Sequence, residues 1–219
     1  MPPKTAIVTG ANKGIGLAIV RQLALQYPAS NNPTVPLQIY LCARSPSLGT
    51  AALDTLLHAD PLLTQSKALS ASGGPTTIHY HPLDIASQSS IASFAAFLSE
   101  THPGGIDILI NNAGIALDGF DLNVVQTTLG VNYTGTLALT RALLPLMKRG
   151  GRVVNVASTA GMLDGYFSPG LKARFLGATQ VDEVTRLMEE FVAAVERGTE
   201  KEDGWPSSAY RVSQRSGGD

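Results

Sequence analysis

The residues Thr9-Gly10-Ala11-Asn12-Lys13-Gly14-Ile15-Gly16 have the types and spacing to hold an anion. They follow a short apolar run, Ala6-Ile7-Val8, and open an amphipathic run over residues 15–27. The order is strand, glycine-rich turn, helix. Gly10 can take backbone angles that a side chain forbids. Gly14 lets the backbone approach a phosphate, and Gly16 lets the helix pack close on the strand. A helix N-terminus adds unpaired N–H groups and a partial positive charge. Asn12 and Lys13 lie inside the same turn. Glycine-rich turns also serve as plain connections. The strand before this one and the helix after it favour a dinucleotide phosphate site.

A second position of interest is Cys42-Ala43-Arg44-Ser45, which closes the next apolar run. Sheets that take NAD place an acid there for the ribose hydroxyls. No acid is present. Arg44 can instead fork onto a 2′-phosphate, and Lys13 can supply a second positive charge. This predicts NADP(H) as the cofactor; the alternative is that both are ordinary surface cations.

The elements that must position these groups alternate along the chain. Strands are expected at 37–43, 76–81, 106–110 and 152–157, each nearly all apolar. Helices are expected at 15–27, at 48–57, around Ile91, Phe94, Ala95 and Leu98, and over 122–148 before Gly150-Gly151. Residues 28–36, 58–75 and 159–170 read as loops, rich in Pro, Gly and Ser. Near Thr179 a helix start is expected, with an acid three residues after the cap, and Arg197-Gly198 makes a stop. That helix carries Val184, Leu187, Met188, Phe191 and Val195 at helical spacing, which points to packing against the domain rather than to a partner. Apolar strands alternating with helices imply a doubly wound parallel α/β sheet, the Rossmann fold, in a single domain over residues 1–219. In such sheets ligands sit beyond the carboxyl ends of the strands. The polar clusters Thr9 to Gly16, Arg44, Asp84, Asn111 to Gly114 and Ser158 all fall at such ends. Five plain connections would not all place polar groups there.

The net charge of −1 over 219 residues argues against a nucleic-acid partner, and no polybasic tail argues for a membrane surface. The single cysteine, Cys42, lies in an apolar run and reads as a small buried hydrophobe. With no pair to oxidise, a reducing compartment is expected, hence a cytoplasmic protein. Met1-Pro2-Pro3-Lys4 lacks the shape of a signal peptide. No apolar run reaches the ~18 residues of a membrane helix. No metal is expected.

With these motifs in view, the sequence resembles the short-chain dehydrogenases/reductases, and among them the monomeric carbonyl reductases. Thr9 to Gly16 matches the cofactor turn of that family, and Asn111-Asn112-Ala113-Gly114 the motif after its fourth strand. Asn132 in Val131-Asn132-Tyr133, Ser158, and Tyr210 in Gly204-Trp205-Pro206-Ser207-Ser208-Ala209-Tyr210 match catalytic positions. The resemblance implies hydride transfer from NADPH to a ketone, aldehyde or quinone. It gives Tyr210 the role of general acid, Ser158 a hydrogen bond to the same oxygen, and Asn132 a part in a water-mediated proton path. It places Asp84 and Ile85 at the adenine, although Asp84 could equally cap the next helix. Asn111, Ala113 and Gly114 join the cofactor set. A non-catalytic nucleotide-binding or interaction protein is the alternative.

The chain departs from the family at position 214. The family carries lysine four residues after the tyrosine, on the same helix face. Here Gln214 stands there, and Arg215 points about 100° away. Residues 159–209 are longer than the family's usual connection and resemble the insertion that keeps carbonyl reductases monomeric. The family's last strands are not present, so a truncated product, an exposed edge on the fifth strand and reduced activity are expected.

Overall fold

The computed structural model describes residues 2–29 and 35–215. Part of the expected loop at 28–36, residues 30–34, and the end of the tail, residues 216–219, lie outside the described residues. Five parallel strands form one sheet: β1 (Lys4–Thr9), β2 (Leu37–Ala43), β3 (Thr76–Pro82), β4 (Ile106–Asn111) and β5 (Met147–Asn155). Their order is β3-β2-β1-β4-β5, as a doubly wound sheet requires. The order reverses between β1 and β4, which places the crevice for a ligand at their carboxyl ends.

Both faces of the sheet are covered. Leu37, Ile39 and Leu41 of β2 share a core with Val20 and Ala24 of α1 (Gly14–Gln26), Ala52 of α2 (Pro46–Asp54) and Leu63 of α3 (Pro61–Ser66). Tyr40 points to the other face and meets Phe97 of α4 (Gln88–Thr101) edge-on, ring centroids 5.6 Å apart. This two-sided burial is why the strands read as continuous apolar runs. Cys42 is fully buried, and burial pushes its thiol pKa up, as expected of a small core residue.

The chain gathers into two units. The first, Met1–Ala113 with Thr136–Val156, holds the sheet. The second, Gly114–Gly135 with Ala157–Asp219, holds α5 (Leu122–Leu129), α7 (Pro169–Gly177), α8 (Val181–Arg197) and α9 (Ala209–Arg215).

Several sequence expectations need correction. Residues 61–66, expected as loop, form α3. The Asp60 carboxylate accepts from the N–H of Leu62 and Leu63 at 3.0 and 3.1 Å, Arg21 also binds Asp60, and Pro61 has its φ preset for a first turn. The helix expected over 122–148 is three pieces: α5, a π turn (Gly130–Gly135) and α6 (Thr136–Leu143). Pro145 then ends the helical run within a short 3-10 turn, and β5 begins at Met147, not Arg152. The pairing jumps from Ile106↔Met147 to Ile108↔Arg152, so residues 148–151 bulge, with Gly150 at φ +82°. Residues 159–170, also expected as loop, contain a 3-10 turn (Thr159–Gly161) and the start of α7, where Ser168 caps the N–H of Leu171 at 3.3 Å. The α8 start lies one residue later than expected. Its acid is Glu183, which accepts from the N–H of Thr179 and Gln180 at 2.7 and 2.9 Å. As expected, α8 packs inward, burying Leu187, Met188 and Phe191 beside Trp205. β5 is one of the two edge strands of the sheet, opposite β3, and its adjacent residues Val153 and Val154 are both exposed. Successive strand residues face opposite ways, so both faces are open there.

The α4 face of the sheet holds three histidines. The Tyr40 hydroxyl lies 2.7 Å from His102 Nε2, His79 stacks on Tyr40, and His81 packs against Phe94 and Phe97. Burial holds all three below the ordinary imidazole range; His79 and Lys148 lower His102 further. A depressed folded pKa means that the unfolded chain takes up these protons first. The stabilisation is complete above about pH 6.5 and is lost as pH falls below it. The melting temperature should therefore drop between about pH 7 and pH 5.5, and His81→Phe should flatten that slope. An unchanged slope in a thermal scan would remove His81 from the account.

Candidate functional site

The crest of the sheet is built where β1 and β4 end. The Thr9 hydroxyl oxygen accepts from the backbone N–H of Asn112 at 3.0 Å and of Ala113 at 2.9 Å. Asn112 Nδ2 donates back to the carbonyls of Thr9 and Gly10, at 2.8 and 3.2 Å. Ala11 N–H donates to Cys42 O at 3.0 Å, which ties the same turn to β2. The two turns meet with no room to spare. A Cβ on Gly10 would lie 2.8 Å from Ala113 Cα, and one on Gly16 would lie 2.5 Å from Asn112 Nδ2 and 2.6 Å from Gly10 O. Gly10 itself sits at φ +62°, where side chains are disfavoured.

Beside this packed crest the entrance to α1 is open. Gly14, at φ +55°, has nothing within 4 Å of the place a Cβ would take. Lys13 occupies the cap position in extended backbone without a capping bond, and no acid lies in the first turn. Among the described residues no side chain caps the first amides of α1, an arrangement that leaves such N–H groups open to an acceptor. Asn12 is half-buried, while Lys13 and Ile15 are exposed. Arg44, just past β2, is also exposed, and neither it nor Lys13 is in an ion pair among the described residues.

Asp84 Oδ1 accepts from Ala86 N–H at 3.0 Å, closing a local turn. The cap of α4 is Ser87, whose Oγ accepts from Ser90 N–H at 3.3 Å, so Asp84 is not the helix cap. Ile85 is buried beside it. Asn111 is buried too, and both hydrogens of its amide are used inside the sheet unit, on Thr140 Oγ1 at 3.0 Å and Asn155 Oδ1 at 2.9 Å. Its side-chain donors hold β4 to its neighbours.

The second unit holds the other expected residues. Asn132 lies in the π turn, a local break in helical pairing of the kind often found at functional sites. Its Oδ1 accepts from Ile115 N–H, and its Nδ2 donates to Ile115 O, both at 2.8 Å. The second Nδ2 hydrogen goes to Ser213 Oγ at 2.9 Å, and Ser213 donates to Tyr210 O at 2.8 Å. A Cβ on Gly114 would lie 3.3 Å from Asn132 Oδ1, so glycine there leaves the amide its place. Asn132 is thus bonded to the helix that carries Tyr210. Tyr210 is half-buried on α9, and its hydroxyl has no partner among the described residues. Ser158 caps the following 3-10 turn, accepting from Ala160 N–H at 3.1 Å; its own proton stays available for donation. Gln214 follows Tyr210 by one helical turn on α9.

The sequence motif contains Asn112 without giving it a role of its own, and Ser213 is in no site set. The signal for Asn112 was its place between an apolar strand and a glycine. Ser213 was marked only by its spacing of three from Tyr210.

Comparison with known proteins gives a consistent picture. The family model described as short chain dehydrogenase matches residues 41–169. Carbonyl reductase [NADPH] 1 of Homo sapiens is 37% identical over 215 residues, 95% of this chain and 69% of the relative. Menthone neomenthol reductase from Mentha piperita superposes with a TM-score of 0.78 at 25% identity, over 99% of this chain and 82% of that one. A metagenomic short-chain oxidoreductase in complex with NADP matches at a TM-score of 0.53 and 28% identity, over 74% of this chain and 65% of that one.

The two glycines of the turn should respond differently to a methyl group. Gly16→Ala forces backbone and Asn112 apart and should cost about 1–3 kcal/mol in urea unfolding. Gly14→Ala meets open space and should cost only the left-handed backbone penalty of about 1 kcal/mol. Equal costs, or a larger one at Gly14, would contradict the packed crest.

Proposed function

Because the chain belongs to the short chain dehydrogenase family, we propose that it is an NADPH-dependent oxidoreductase reducing the carbonyl group of a ketone, aldehyde or quinone. The observation that carries this reading is the similarity to carbonyl reductases along 95% of the chain. The residues present suit the cofactor. The uncapped entrance to α1, with open space at Gly14, suits a pyrophosphate. Arg44 and Lys13, outside any ion pair among the described residues, suit a 2′-phosphate. Asp84 keeps a carboxylate oxygen for the adenine amino group. Bound NADPH supplies the hydride that reaches the carbonyl carbon.

The chain's own groups manage the oxygen. Tyr210 gives its phenolic proton to the oxygen as negative charge develops there. Ser158 donates a hydrogen bond to the same oxygen. Asn132 has its amide hydrogens committed to Ile115 and Ser213, so its side chain acts by holding the π turn to α9. Gln214 offers the cofactor ribose a hydrogen bond but brings no charge to stabilise a phenolate. That one observation favours a second reading, a nucleotide-binding protein without catalysis.

We propose a monomer as the working unit, since the 159–209 segment buries its apolar residues Phe167, Phe175, Phe191 and Trp205 against one another. No helix of the described residues is long and apolar enough to cross a membrane. Cytoplasmic location rests on the unpaired, buried Cys42.

NADPH oxidation with a quinone separates the two readings. The catalytic one expects turnover that falls by roughly a hundredfold or more in Tyr210→Phe. Tight NADPH binding without turnover would favour the other. Arg44→Asp should lower the preference for NADPH over NADH by about tenfold or more, since a hydrogen bond to a charged group contributes roughly 1.5–3 kcal/mol. Equal affinity for the two cofactors in the unaltered chain, measured by calorimetry, would reduce Arg44 to a surface charge.

A further inference from the structure

Arg211 follows Tyr210 directly on α9, and its side chain ties three segments of the second unit together. Its Nη1 donates to the carbonyl of Ala160 at 2.9 Å, within the 3-10 turn that Ser158 caps. Its guanidinium carbon lies 3.3 Å from the ring centroid of Tyr166, in the segment after that turn. A flat guanidinium can do both at once, because its N–H groups point outward in the plane while its face stacks on a ring. The backbone of the turn is also pressed on α9: a Cβ on Gly161 would lie 2.9 Å from Gln214 C and 3.0 Å from Gln214 O. That approach is van der Waals contact, which has no direction and permits the turn to slide along the helix. The hydrogen bond from Arg211 has direction and fixes where the turn sits.

We infer that Arg211 is a positioning residue, a clamp that sets the Ser158 hydroxyl against the helix carrying Tyr210. The inference rests on the catalytic reading above, in which Ser158 and Tyr210 address one carbonyl oxygen. Two donors that converge on one atom must be placed relative to each other, and misplacement by about 1 Å can cost roughly a hundredfold in rate. Arg211 touches neither the oxygen nor the hydride path; it acts through the backbone of Ala160. Tyr166 has a share in the same clamp, because its ring limits the rotamers open to the guanidinium.

Two readouts test this. The first is amide hydrogen exchange of the full chain. Arg211→Ala should speed exchange at Gly161 and Met162, whose N–H groups close the turn onto Ser158 O and Thr159 O. The second is kinetic, with NADPH and a quinone. Arg211→Ala should lower kcat by roughly tenfold while the KM for NADPH stays within about twofold, the signature of misplaced reacting groups. Arg211→Lys retains a donor for Ala160 O but not the flat stack, and should recover part of kcat. Tyr166→Ala should cost less in the Arg211→Ala background than alone, because contacts within one clamp are not additive. Faster exchange with kcat unchanged would overturn the positioning role and leave a structural contact. Unchanged exchange would overturn the clamp itself. If the unaltered chain binds NADPH but turns over no carbonyl, the catalytic reading fails instead, and the exchange arm still decides whether Arg211 holds the turn.

Discussion

The hydroxyl of Thr9 is the contact on which the sheet unit's crest depends. One buried oxygen takes two backbone N–H groups from the end of β4, and Asn112 returns two donors to the end of β1. Buried backbone donors left without a partner cost about 1–3 kcal/mol each. The reciprocal set satisfies them and locks two neighbouring strand ends at the point where the sheet order reverses. Gly10 and Gly16 are required because this closeness leaves no space for a Cβ. With the crest rigid, the entrance to α1 is held still and its amides keep one direction. The cofactor pocket proposed for this chain is therefore a by-product of strand-end packing.

A similar economy governs the second unit. Asn132 has three polar contacts and all go to protein: two to Ile115 and one to Ser213. Ser213 passes the connection to the Tyr210 carbonyl. A π turn, a loop and α9 are thereby held by a single amide. In contrast, Tyr210 and Ser158 each keep a hydroxyl proton that no described residue accepts, which suits the donor roles proposed for them. Asn111 and Asn132 thus spend their amides on the scaffold, whereas the hydroxyls of Tyr210 and Ser158 do not.

What could be seen in the sequence follows from the range of the forces involved. β1, its glycine turn and α1 were legible because apolar run, glycine spacing and helical period agree within a few residues of one another. α3 was not, because its signal is the pair Asp60-Pro61 inside a stretch crowded with Pro, Gly and Ser, and because Arg21, distant in sequence, completes the cap. The long helix expected over 122–148 breaks at both its middle and its end. Apolar spacing continues through the π turn and hides it, and Pro145 stops the run where the apolar pattern still goes on. At the site, Lys13, Gly14 and Arg44 could be argued from charge and backbone alone. Asn132, Ser158 and Tyr210 could not: each is an ordinary polar residue until the fold and the resemblance give it neighbours. The bonds of Asn112 and Ser213, to Thr9 and Gly10 and to Asn132, are tertiary, so their local signals give no role until the chain folds.

The central claim is that the open entrance to α1, beside a locked crest, receives the cofactor phosphates. Backbone amide signals followed by NMR during NADPH titration test it most directly. The account predicts that the largest shifts fall on Gly14, Ile15 and Gly16, with Arg44 next, and that the amides of Asn112 and Ala113 move little because Thr9 already holds them. Saturable binding that leaves Gly14 to Gly16 unshifted would contradict it.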